Sequence, residues 1–481
     1  MLSSYNIHCF FIFKCYNENI ISVIFGNNSD LFPNFSEIIC NFVRMKRKEV
    51  FQGIITTMQR EMPFPVIERD LQLPIDTEQI VTVSGVRRCG KSSMMKIVAN
   101  HLMASGVGRE KILWINFDDE RLDGMPAEEL DEVIQAYREI YPDIPISETY
   151  IFFDEIQTIK RWELFVLRLY KSYCRNIYIS GSNAEMLSSQ IATSLRGWPI
   201  EYQAFPLSFS EYMRFKGIAA SPFTEEGRAR LIASCKDYLH SSAFPEVVLM
   251  EEKSLQIRKV QGYFNTMLFR DLIDHYSLSS PETVRYFLKR LMANLSKPTS
   301  INAIFNDLKS QGKKVDKNKL YELADMACDI FMFFRVNRWS ESIVKENMRL
   351  PKYYFIDNGM RNSVIMPQSD DDGKLLENAV FLHLRRFLDP MKKITYFNED
   401  VECDFVVQQD EHIDKLIQVC WTLTEESTLQ REIRGLSTAS KLTGCKDCTI
   451  ITLDEEDEIT RDGLIVRILP VWKWLLTSPY D

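Results

Sequence analysis

The sequence predicts an α/β protein: a parallel-sheet core, a helical middle, and a second, smaller α/β unit towards the C-terminus. Three observations carry that expectation. In "QIVTVSGVRRCGKSSMMKIVANHLM" a β-branched run meets a glycine-bounded turn and then a helical pattern. Two further apolar runs, "KILWINFDD" and "TYIFFDEIQ", end in acidic residues, as the strands of one buried sheet do. After Pro351 helical periodicity gives way to the strand-like runs "ITYFN", "ECDFVVQ", "KLIQVCW" and "CTIITL".

The first of these units carries chemistry. Gly85-x-x-x-x-Gly90-Lys91-Ser92 is the phosphate-binding P-loop pattern. Gly85 and Gly90 allow backbone angles that turn successive N–H groups of Val86, Arg87, Arg88 and Cys89 towards one anion. The helix expected from Lys91 to Met103, with Ser92 and Ser93 in its first turn, aims its positive dipole end at the same place. Lys91 then reaches the β and γ phosphates of a nucleotide, and the Ser92 hydroxyl coordinates magnesium. Arg87 and Arg88 add positive field, with Asp118 or Asp119 as the acid that Arg88 would meet instead.

The run "TYIFFDEIQ" is expected as a strand neighbouring the P-loop strand, with Asp154 at its tip holding magnesium and Glu155 preparing the attacking water. A solvated carboxylate is the plainer reading of Glu155. A further strand, "NIYISGSNAEML", ends in Ser182 and Asn183. Asn183 suits a sensor of the γ-phosphate or of the water, and suits a turn and helix cap equally well. Arg196 faces either a nucleotide or solvent.

With 481 residues, two to four domains are expected. The hydrophobic share of 45% and charged share of 26% describe an ordinary globular chain, and a net charge of -9 argues against a generic nucleic-acid coat. Eleven cysteines, odd in number and scattered in apolar runs, fit reduced cytoplasmic thiols. No run reaches the length of a membrane span, and "MLSSYNIHCFFIF" lacks a basic start and a cleavage site. Residues 1–44 read as a start-site over-read or an extension, and the first helix as beginning at Met45.

The segments "GVRRCGKSSMM", "INFDDERL", "IFFDEIQ", "ISGSNAEML" and "LRGWPIEYQAFPLSFSEYM" together resemble a group of bacterial and archaeal AAA-like P-loop ATPases with a C-terminal domain of unknown function. The likeness runs on through "AFPEVV", "YYFIDNGMRN" and "LLENAVFLHLRRF" to "ILPVWKWLL". It departs at Trp198, where a second arginine is expected after Leu195. The resemblance implies an AAA-like core at 45–210, a helical region at 211–345 and a C-terminal α/β domain at 346–481.

Within the middle region, "SINAIFNDLKSQGKKVDKNKLYELADMA" outlines a helix, a turn at Gly312 and a second helix capped by Asp316, as in a winged-helix unit. Lys309, Lys313, Lys314, Lys317 and Lys319 within 300–326 suit either DNA-backbone contact or a solvated hairpin that meets a protein. The C-terminal order resembles a restriction-nuclease-like core, which places Glu377, Asp404 and Gln418 around a metal. Cys420 stands where that pattern expects a lysine, and a thiol cannot polarise the attacking water, so a scaffold without nuclease chemistry is expected. Cys445 and Cys448 form a CxxC pair without two further soft ligands nearby, which favours burial over zinc. Asp454 to Glu458 read as a solvated turn between strands.

The expectation is a magnesium-dependent ATPase coupled to a DNA or protein partner, with a homo-oligomer implied by the AAA-like resemblance and no membrane. The alternatives are a nucleotide-gated regulatory module with slow hydrolysis, and a metal-dependent DNA nuclease.

Overall fold

The computed structural model describes residues 35–181, 195, 197–340, 349–366, 371–410, 412–461 and 463–480, the side chains of 35–46 excepted. Ser182, Asn183 and Arg196 lie outside the described residues. So does most of the segment 1–44.

Helix α1 (Phe35–Arg60) leads into the strands β1 (Ile80–Gly85), β2 (Ile112–Asn116), β3 (Tyr150–Asp154), β4 (Ile177–Ser180) and β5 (Pro199–Ala204). These five make an all-parallel sheet in the order β2–β3–β4–β1–β5. Helices α2 (Lys91–Ala104), α3 (Asp131–Ile140) and α4 (Trp162–Ser172) cover its two faces. The period-two alternation of strand side chains sorts the core. Phe152 and Tyr178 face α2, while Ile151, Phe153, Ile177 and Ile179 face α1, α3 and α4. Burial on both faces is why these strands read as unbroken apolar runs. Register then stacks Trp114 on Phe152 (centroids 5.0 Å apart) and Phe152 on Tyr178 (4.7 Å), a ladder across three strands. Each such pair adds about 1 kcal/mol beyond the area it buries.

Two expectations need correction. The first helix begins at Phe35, not Met45, so it runs through the boundary drawn at residue 44. Its Phe51, Ile54 and Ile55 seal the α3 side of the sheet. The strand carrying Asp154 is not beside the P-loop strand, because β4 lies between β1 and β3. The parallel sheet aligns all three C-terminal ends, so Asp154 still reaches the P-loop helix across the edge of β4.

Next come α5 (Phe209–Phe215), α6 (Glu225–His240) and α7 (Lys253–Thr266), which continues as a π-helical stretch from Met267 to Asp274. Helices α8 (Pro281–Ala293), α9 (Ile301–Ser310) and α10 (Lys317–Asp329) precede an antiparallel pair, β6 (Phe333–Val336) and β7 (Lys352–Phe355). The turn between α9 and α10 passes through Gly312 at φ 75°, and the Asp316 side chain caps α10 by accepting from the Asn318 N–H. Residues of α7 to α10 share one continuous apolar core with α2 and the facing side of the first sheet. Helices α5 and α6 instead pack into the C-terminal core.

After α11 (Asn358–Val364) and α12 (Asp372–Arg386) a six-stranded mixed sheet forms from β8 (Lys392–Asn398), β9 (Glu402–Gln409), β10 (His412–Val419), β11 (Cys448–Thr452), β12 (Asp457–Arg461) and β13 (Leu464–Pro470). Its order is β12–β13–β11–β10–β9–β8, with α13 (Glu426–Thr443) joining β10 to its parallel neighbour β11. The acidic stretch after Asp454 opens the β12–β13 hairpin. Cys445 and Cys448 are free and buried in the apolar cluster under α13, and no metal-binding group of His, Cys, Asp and Glu occurs among the described residues. Among the described residues no helix is long and apolar enough to cross a membrane.

Candidate active site

The P-loop follows from backbone constraints that few residues other than glycine satisfy. Gly85 sits at φ 139°, and a Cβ there would lie 2.3 Å from the Ala204 carbonyl oxygen of β5. Gly90 caps α2 at φ 102°. Between them Arg88 also adopts a left-handed φ of 68°. Lys91 is buried, and its ammonium donates to the carbonyls of Gly85 and Val86, both at 3.2 Å. Cys89 is buried and its thiol is pushed upward by burial, which makes it a packing residue of the loop.

Opposite the helix start, Ser92 Oγ donates to Asp154 Oδ1 at 2.9 Å. Ser180, at the end of β4, donates a second hydrogen bond to the same oxygen and accepts one from the Glu155 N–H at 3.1 Å. Ser180 thus orients both acids, a role sequence reasoning missed because the residue is an ordinary serine ending a strand. Burial raises the Asp154 carboxyl above its usual range, against the two serine hydrogen bonds and Lys91. Glu155 sits at φ 53°, with one carboxylate oxygen 3.8 Å from Lys91 Nζ and the other accepting from Gln157 Nε2 at 2.6 Å.

These groups open onto a cavity of about 520 Å³. Its polar lining contains Arg87, Arg88, Lys91, Ser92, Asp154 and Glu155, so the structure brings the P-loop lysine and the paired acids to one cavity. Its other wall is largely apolar and was not legible in the sequence: Pro65, Val66 and Ile67 precede β1, while Phe215, Pro245 and Leu249 come from beyond the sheet. Phosphate-binding groups together with apolar lining residues suit a nucleotide with a planar base.

Both P-loop arginines line the cavity, and each also meets a residue distant in the chain. Arg88 does not pair with Asp118 or Asp119; its guanidinium lies 5.9 Å from the centroid of Tyr263, Asp118 pairs with Arg270, and Asp119 pairs with Arg121. Arg87 makes a two-pronged contact with Asp271 on the π-helical stretch, 3.2 and 3.4 Å long. Burial opposes the charge on Arg87, and the Asp271 carboxylate more than offsets it. Behind the loop, Arg69 donates to the Cys89 and Phe205 carbonyls and to Glu211, which also meets Arg386 of α12.

The C-terminal cluster holds one surprise. Glu377, Asp404 and Gln418 do come together, with Gln418 Oε1 accepting from the Asp404 N–H. At their centre stands Lys352, 3.0 Å from Glu377, 3.1 Å from Asp404 and 2.5 Å from Glu402. Tyr354 donates to Glu377 at 2.6 Å. The lysine absent at Cys420 is therefore supplied by β7, and its ammonium fills the space among the carboxylates. Burial disfavours that charge, yet Glu377, Tyr354, Asp404 and Glu402 hold the Lys352 pKa well above the ordinary value. Glu377 is pushed up to about 7 by burial and by Asp404.

Comparison with known proteins agrees with the core. Residues 77–213 match the model of an AAA domain family, and residues 232–371 match a domain of unknown function (DUF8612). An uncharacterized protein of Methanocaldococcus jannaschii is 30% identical over 443 residues, spanning 90% of this chain and 96% of the relative. An uncharacterized protein of Haemophilus influenzae is 27% identical over 361 residues, 73% of this chain and 85% of the relative. The fold and the loop define a P-loop protein with an AAA domain. More particularly, the chain belongs to the same family as the Methanocaldococcus jannaschii protein.

Among solved structures, Aeropyrum pernix ORC1 in complex with DNA aligns at 12% identity over 67% of this chain and 91% of that one, with a TM-score of 0.28. AMPPCP-bound DnaA from Aquifex aeolicus aligns at 9% identity over 57% of this chain and 86% of that one, with a TM-score of 0.24. Likenesses that loose carry no weight here. Neither matched family model describes a nuclease, so the nuclease-like reading of the C-terminal domain gains no support from these matches.

Proposed function

We propose that the protein binds ATP with magnesium in the 520 Å³ cavity and hydrolyses its γ-phosphate, and that this drives a change felt by a nucleic-acid or protein partner. The observation that carries the reading is that Lys91, Ser92, Asp154 and Glu155, joined by the Ser92–Asp154 and Lys91–Glu155 contacts, line one cavity together with apolar residues. Main-chain N–H groups from Val86 to Ser93 and the Lys91 ammonium hold the phosphates. Ser92 and Asp154 are hard oxygen donors 2.9 Å apart, which suits magnesium, and a cation there relieves the cost of burying Asp154. Magnesium, when bound, neutralises charge building up on the phosphates. Glu155 accepts the proton of the water whose oxygen attacks phosphorus as the bond to the β-phosphate oxygen breaks. ADP and inorganic phosphate are the products.

A second reading, a nucleotide-gated module with slow turnover, has one observation in its favour. Glu155 is held by Gln157 and Lys91, and must let go of them before it can take a proton. The rate separates the two. With Glu155→Gln, nucleotide affinity stays and turnover falls about 100-fold or more if Glu155 is the base. Wild-type turnover already as slow as that of Glu155→Gln would leave only the module.

For the rest of the chain, the three-helix run α8 to α10 followed by the β6–β7 pair supports a winged-helix reading, with Lys309, Lys314, Lys317 and Lys319 exposed to a partner and Lys313 paired with Glu282. The Lys352 ammonium among Glu377, Asp404 and Glu402 supports a C-terminal domain that binds rather than cuts, because its carboxylates already have a cation.

A further inference from the structure

Arg87 and Arg88 line two cavities, not one. Besides the nucleotide cavity they border a second pocket of about 300 Å³, whose other side is the outer face of α7 at Arg258, Lys259, Gly262 and Thr266. Four cations therefore meet there. Two are matched: Arg87 by Asp271, and Lys259 by Glu246 at 2.5 Å. Among the described residues Arg88 and Arg258 have no carboxylate within ion-pair distance, which leaves about two positive charges in excess in a chain that is acidic overall.

The same helix carries an aromatic ring. At 3.6 residues per turn, positions 258, 262 and 266 fall on one side of α7. Phe269, in the π-helical stretch that continues α7, is 42% exposed, and the Arg285 guanidinium lies 5.5 Å from its ring centroid. Arg285 also donates to Asn265 at 3.3 Å. A row of guanidinium groups beside an exposed ring is the arrangement that tracks a phosphate backbone and stacks an unpaired base. An acidic protein segment would use the cations and leave the ring idle. A duplex would have no free base face to offer it.

We propose that the outer face of α7, together with Arg87 and Arg88, binds single-stranded nucleic acid, with backbone phosphates in the 300 Å³ pocket and a base on Phe269. Its coupling to nucleotide rests on the ATPase reading above. The two arginines form a shared wall, so strand phosphates and nucleotide phosphates draw on the same positive charge. Each weakens the other by the same factor. ATP loosens the strand, and loss of the γ-phosphate tightens it again.

The test uses the full chain and a fluorescein-labelled oligodeoxythymidylate read by anisotropy, with MgATP affinity measured separately without the oligonucleotide. Arg258→Glu, Gly262→Glu and Phe269→Ala all lie outside the nucleotide cavity, and a Cβ at Gly262 meets no atom within 4 Å, so a side chain can start there without a clash. Each substitution is expected to weaken oligonucleotide binding about tenfold, and Phe269→Ala, which adds no charge beside Arg87 and Arg88, to leave MgATP affinity as in the wild type. Saturating MgATP is expected to weaken wild-type oligonucleotide binding by about tenfold. The proposal is overturned if a chain that binds MgATP does not bind the oligonucleotide, or if all three variants bind it like the wild type. It is also overturned if polyglutamate or a DNA duplex displaces the oligonucleotide as well as unlabelled single strand does. Oligonucleotide binding that survives in a chain with no affinity for ATP would sink the ATPase reading and leave this surface standing.

Discussion

Replacing Glu211 by glutamine keeps the shape of a side chain that is 1% exposed and removes its charge. The carboxylate accepts from Arg69 Nε at 2.7 Å, from the Asp70 and Ser208 N–H groups at 2.8 Å, and from Arg386 Nη1 at 3.1 Å. Burial works against the ionised form, but Arg69 and Arg386 overcome it and hold the pKa down at about 2, from an ordinary 4.5. At about 1.4 kcal/mol per pKa unit, that depression corresponds to roughly 3 kcal/mol of stability near neutral pH, in line with the cost of breaking a buried pair. The sign follows from the direction: a depressed carboxylate contributes fully above the unfolded pKa and loses its contribution as pH falls through the folded one. Urea unfolding of the wild type should therefore weaken between about pH 5 and pH 2, and Glu211→Gln should lose both the 3 kcal/mol and that part of the acid slope. Because Arg69 also holds the Cys89 carbonyl, MgATP affinity is expected to fall with it. A loss below about 0.5 kcal/mol with an unchanged acid slope would refute the argument, since that is the effect of an ordinary surface substitution.

Other substitutions probe the remaining claims. Gly85→Ala places a Cβ against the Ala204 carbonyl at 2.3 Å, so MgATP binding should be lost together with several degrees of Tm, and retention of both would contradict the close approach of β5 to the loop. Ser180→Ala removes a donor from Asp154, and should raise the magnesium concentration needed for half-maximal ATP binding about tenfold; an unchanged requirement would show that Ser180 is only packing. Lys352→Met leaves Glu377, Asp404 and Glu402 without their cation and should destabilise the C-terminal domain by about 3 to 5 kcal/mol at pH 8, with a smaller loss at pH 5 as Glu377 takes up a proton. No loss at pH 8 would show that the carboxylates do not need the ammonium, and a loss of the same size at both pH values would show that Glu377 protonation does not relieve it.

What the sequence disclosed was local. Strands buried on both faces announce themselves as apolar runs, and the P-loop is legible because its glycines, Lys91 and Ser92 lie within eight residues of chain between Gly85 and Ser92. Asp154 and Glu155 were legible as a strand end, but the order of strands was not: nothing in "TYIFFDEIQ" says that β4 intervenes. Contacts between distant segments were hidden altogether. Arg87 and Asp271 are 184 residues apart, Lys352 and Asp404 52 apart, and no local pattern marks either pair. The β13 strand did carry a signal, with Leu464, Val466 and Ile468 buried and Ile465 exposed in alternation, and period-two counting would have found it. The apolar wall of the cavity gave none, because Pro65, Val66 and Phe215 look like ordinary loop and helix residues until the fold sets them side by side.

The most direct measurement of the central claim is calorimetric titration of the purified full-length chain with ATP, with magnesium present and then chelated. The account predicts saturable binding that weakens sharply without magnesium and disappears in Lys91→Ala while the variant stays folded. A folded wild-type chain that takes up no ATP with magnesium present, or a Lys91→Ala chain that binds as tightly as the wild type, would contradict it.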